Sequence, residues 1–107
     1  MTIDEAVEDL VGLSSHTTNP LDPASVRRYV EQMVSLIRGD PEIMSALEGA
    51  DPVRSVAYHA FRFQPHYDHL EDYCSGKIPG PITVQSCNDY LAAWDRDHET
   101  IPAKGKS

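Results

Sequence analysis

The eleven residues from Gln64 to Cys74, QPHYDHLEDYC, hold two histidines three apart, three acids, two tyrosines and a thiol. Imidazole and thiolate are zinc ligands, and His66, His69, Cys74 and Cys87 together spell H-x2-H-x4-C-x12-C, the residue types of a four-ligand site. The same stretch sets His69 near Asp72, the pairing in which a carboxylate orients an imidazole as a general base, with Tyr73 or Cys74 in reach.

Patterning argues against both chemistries. On a helical wheel Tyr67, Leu70 and Cys74 form the buried face, His66 and Tyr73 its margin, and His69 points outward beside Asp72. Cys74 and Cys87 each fall on an apolar stripe, where a free thiol behaves as a small hydrophobe, so the four ligands are not expected to converge. The spacing also lacks the paired C-x2-C or H-x3-H knuckles of specific zinc motifs. There is no nucleophile elbow, phosphate-binding glycine loop or H-E-x-x-H, and a short helical chain has little room for a deep substrate pocket. The expectation is a helix edge with core thiols, with no catalytic residue, no metal and no cofactor. Zinc binding through His66, His69, Cys74 and Cys87, and a small enzyme using His69 and Asp72, stand as the alternatives.

The elements that position these residues are helical. Asp-Pro occurs at 22–23, 40–41 and 51–52, and each pair reads as a helix start, because Asp accepts orphan N–H groups and Pro suits the first turn. The intervals differ, so the pairs do not mark a repeat array. Upstream, Thr2 and Glu5 have capping-box spacing before Ile3, Ala6, Val7, Leu10 and Val11, which predicts a first helix over about Ile3 to Leu13. The second, Pro23 to Arg38, should be the central packing element, with Val26, Val30, Met33, Val34 and Ile37 inward, Arg27 pairing with Glu31, and Gly39 ending it. A short third helix from Pro41 to about Glu48 should bury Ile43, Met44 and Leu47, and Gly49 should stop it. A fourth from Pro52 should bury Val53, Val56, Ala57, Ala60 and Phe61. Pro65 turns the chain into a fifth helix, about Pro65 to Tyr73, and a sixth from near Thr83 carries Val84, Cys87, Leu91 and Trp94 on one stripe. PITVQ reads as the approach to this last helix rather than as a strand. The predicted fold is all-α, a compact bundle of five to six short helices in one domain over 1–107, with about 99–107 as a flexible tail.

Composition bounds the function. The chain of 107 residues carries 17 acids against nine Lys and Arg, a net charge of -8. That balance opposes direct binding to nucleic acid or anionic lipid, which need clustered positive charge. No apolar run reaches the roughly 18 to 20 residues of a membrane span, and the first residues are acidic where a secretory signal is basic. A soluble, cytoplasmic protein with reduced cysteines is expected.

Two surfaces are candidates for partner binding. Asp4, Glu5, Glu8 and Asp9 sit opposite the apolar side of the first helix, where negative charge would steer a basic partner, including one whose surface otherwise receives nucleic acid. Arg54, Tyr58 and Arg62 align at i, i+4 and i+8 on the fourth, and Arg and Tyr dominate interface energies. The sequence therefore points to a non-enzymatic interaction or regulatory module, with inhibition of a basic surface as one form. Its partner would be a protein, and a homodimer is compatible with the size.

Overall fold

Each Asp-Pro pair does begin a helix, and the cap is made by the aspartate itself. In the computed structural model, which describes residues 1–16, 20–78 and 81–98, Asp22 accepts from the Ser25 amide at 3.0 Å, Asp40 from Glu42 and Ile43 at 2.9 and 3.2 Å, and Asp51 from Val53 at 3.1 Å. These bonds satisfy amides that have no partner inside the helix, while the following proline has no N–H to strand. Thr2 and Glu5 close the expected capping box. Thr83 and Ser86 exchange a similar reciprocal pair at 2.9 and 3.0 Å ahead of the last helix, as the reading of PITVQ required.

The described residues form α1 (Ile3–Ser14), α2 (Pro23–Arg38), α3 (Pro41–Ala46), α4 (Pro52–Arg62), α5 (Gln64–Cys74) and α6 (Val84–His98), with no strand among them. The fold is all-α, and α2 is its hub, touching α1, α3, α4 and α5. Val26, Tyr29, Val30 and Val34 of α2 meet Ala6, Val7 and Leu10 of α1 and Val53, Val56, Ala57 and Ala60 of α4 in one core. Ile82 closes it from the approach to α6, where its amide donates to Gln32 Oε1 at 2.9 Å. No helix among the described residues is long and apolar enough to cross a membrane. The expected tail at 99–107 lies outside the described residues.

Several side chains depart from expectation. Phe61, expected in the core, is 65% exposed. It lies about a quarter-turn from the centre of the Val53, Val56, Ala57 and Ala60 stripe, and α1 packs against that stripe without covering it. Met44 is exposed because α3 has fewer than two turns, and only Ile43 within it and Leu47 at its C-cap are half-covered. Met33, Ile37 and Cys74 are half-buried, and Val84 is exposed, while Tyr29 takes the deep α2 position. Arg27 pairs with Asp4 rather than Glu31, since α1 crosses α2 and brings that carboxylate closer than the next turn of its own helix.

Candidate functional site

The histidine helix α5 starts without a side-chain cap. Phe63, extended at φ -115° and ψ 120°, serves as both the C-cap of α4 and the N-cap of α5, and its ring offers no oxygen. Pro65 in the first turn makes the break, and the Phe63 carbonyl takes the amides of His66 and Tyr67, both at 3.1 Å. The two helices meet at this joint, and three aromatic rings collect there. Phe63 stacks on His59 with centroids 5.5 Å apart, and His59 meets His66 edge-on at 5.3 Å.

His69 does not face solvent as the wheel implied; it is 3% exposed. The wheel assumed one buried face, whereas α5 is covered by α2 on one side and α6 on another. His69 sits where the two covers meet. Its Nδ1 shares a hydrogen bond of 3.0 Å with the Tyr29 hydroxyl, and its ring lies 4.8 Å from that of Tyr90. Burial, with His66 nearby, pushes the His69 pKa below the ordinary imidazole value, and Asp72 offsets this only in part. Burial likewise raises the Tyr29 hydroxyl, so phenol and imidazole are both held uncharged.

That arrangement bears on both alternatives. No hydrogen bond joins His69 to Asp72 among the described residues; Asp72 instead accepts from the Tyr90 hydroxyl at 2.7 Å. No group of three or more His, Cys, Asp and Glu side chains gathers as a metal would need, again among the described residues. Cys74 and Cys87 are free thiols, half-buried, and Cys87 points its sulfur at Met33 Sδ, 3.8 Å away. Burial raises both thiols, Cys74 to about 11, which keeps them protonated and poorly nucleophilic at neutral pH.

The partner-binding candidates come together differently from their separate readings. Of the α1 acids, Asp4 is engaged by Arg27 and Glu5 by the cap of its own helix, whereas Glu8 and Asp9 are exposed and have no polar partner among the described residues. Asp9 joins Arg54, Tyr58 and Phe61 around one hollow of about 140 Å³ between α1 and α4. The acidic and Arg-Tyr surfaces therefore adjoin. Arg62 lies 5.9 Å from the Tyr58 ring centroid, within cation–π reach, and neither Arg54 nor Arg62 is within salt-bridge distance of a carboxylate among the described residues.

Phe61, expected in the core, and Phe63 were not among the partner-binding candidates read from sequence. Phe61 separates the first hollow from a second of about 240 Å³, lined by Leu13, Phe61, Arg62, Phe63 and Tyr67 among others. Tyr58 is 50% exposed and Phe63 44%, so three aromatic rings stand on one side of α4 and its joint. The legible signal was the absence of Ser, Thr, Asp or Asn before Pro65, where every other proline-led helix has its Asp. No family model, curated protein or solved structure matches the chain.

Proposed function

We propose that the chain is a non-enzymatic binding module that docks a partner protein on the α4 edge, with Phe61 as the anchor. Exposure of Phe61 carries this reading: a phenylalanine left in water forgoes roughly 1.5 to 3 kcal/mol of burial, yet this ring stands between two hollows that a partner's side chains would fill. Tyr58, Arg54 and Arg62 around it are of the residue types that dominate interface energies. The partner's contact face would be apolar at its centre, basic where it meets Glu8 and Asp9 and acidic where it meets Arg54 and Arg62, with a basic surface overall to match the net charge of -8. The same charge disfavours nucleic acid or an anionic membrane as the occupant.

Native mass spectrometry of the protein captured from its own host lysate gives the partner's mass. Phe61→Ala should weaken that complex about tenfold or more, with the circular dichroism spectrum unchanged. Binding indifferent to Phe61 would remove the edge from the account, and a complex containing only this chain would replace the foreign partner with a second copy.

A further inference from the structure

The opposite flank of α4 borders a different space. Ser55, Val56 and His59 face a half-open pocket of about 240 Å³ bordered by α2, α3 and α5. Met33, Ile37, Ile43, Leu47 and Val56 form its apolar wall. An apolar hole of about 150 Å³ already holds benzene, so this one has room for a ring with a substituent.

Its polar groups are few. The Tyr29 hydroxyl on the wall is committed to His69. His59 Nδ1–H donates to the Ser55 carbonyl at 2.7 Å, because a carbonyl oxygen only accepts; in the uncharged ring this leaves Nε2 as an acceptor. The His66 ring is half-buried and makes no hydrogen bond among the described residues, and burial together with His59 lowers its pKa, favouring the neutral form. No carboxylate, Lys or Arg lines the space.

We infer that this cavity is a binding site for a small neutral molecule with a ring-sized apolar body and one hydroxyl, held by His59 and His66. A hydroxyl matches the imidazoles, since its O–H donates to a bare ring nitrogen and its oxygen accepts an N–H. A hydrocarbon leaves those nitrogens unanswered, and an ion would give up hydration for a largely apolar wall that carries no countercharge. The site stands apart from Phe61, so it does not rest on the docking reading.

Phenol is the probe, with toluene matching its shape without the hydroxyl and benzoate carrying a charge. Followed by NMR, phenol should shift the His59 and His66 ring resonances saturably and show intermolecular contacts to the Ile43 and Leu47 methyl groups. Toluene and benzoate should bind about tenfold more weakly or worse, the scale of one hydrogen bond. Leu47→Phe, which fills the cavity from its rim, should abolish saturation. No saturable shift up to the solubility of phenol, or no contact to those methyls in the unaltered protein, overturns the site. Toluene or benzoate binding as tightly as phenol overturns the hydroxyl assignment, and phenol binding unchanged in a folded Leu47→Phe places it elsewhere.

Discussion

At the residue scale, the histidine that invited a chemical reading is buried against a tyrosine. His69 and Tyr29 answer each other's polar atoms in a place that water does not reach. Tyr29→Phe removes the phenol oxygen and strands Nδ1, which should destabilise the protein by about 1 to 3 kcal/mol in urea unfolding. The same burial sets a pH dependence. His66 and His69 are both held below the ordinary value of about 6.5, so beneath that pH the unfolded chain binds protons the folded one refuses. Around them lie His59, Tyr29, Tyr90 and Asp72, and only Asp72 favours charge on His69. Stability is therefore full above about pH 6.5 and falls as pH drops through the folded values. Urea midpoints at about pH 7.5 and 5.5 check the sign, and equal midpoints would mean that the rings are solvated.

At the element scale, the contrast lies between helices that begin with an aspartate and the one that begins with a phenylalanine. Asp22 caps the hub helix α2 through the Ser25 amide, and its carboxylate also accepts from the Ser25 hydroxyl at 3.2 Å. Asp22→Ala should lower stability by about 1 kcal/mol, seen as a reduced midpoint with an unchanged denaturant slope. Phe63 is the reverse case. A polar cap there would satisfy the α5 amides better, whereas the Phe63 ring stacks on His59 and leaves 44% of its surface exposed, available to a partner. Phe63→Ser should leave the melting temperature unchanged or raised while weakening partner binding. A variant that melts early and binds normally would make the ring a packing residue only.

At the scale of the whole molecule, charge and exposed aromatic surface act on different parts of binding. Long-range attraction from the net charge of -8 sets how fast a basic partner arrives, whereas a buried anchor such as Phe61 sets how long it stays. Glu8→Lys with Asp9→Lys should slow association several-fold and flatten its salt dependence, with the dissociation rate little changed in stopped-flow traces. Asp4 and Glu5 are unsuited to this test because reversing them breaks the Arg27 pair and the α1 cap.

Helix starts were legible because their causes lie within one turn: an aspartate and a proline satisfy or remove the same few amides wherever the helix later packs. The dominance of α2 was legible too, since its length and apolar stripe exceed what one neighbour covers. Which candidate residues meet was not. His69 is buried because α6 returns from 15 or more residues later to cover a second side of α5, and Phe61 is exposed because α1 packs on the neighbouring stripe of α4 and leaves that ring uncovered. The adjoining of Asp9 with Arg54 and Tyr58 has the same origin. Capping and periodicity are local interactions that one segment carries by itself, while burial belongs to whichever helix arrives alongside, and only the packed chain decides that.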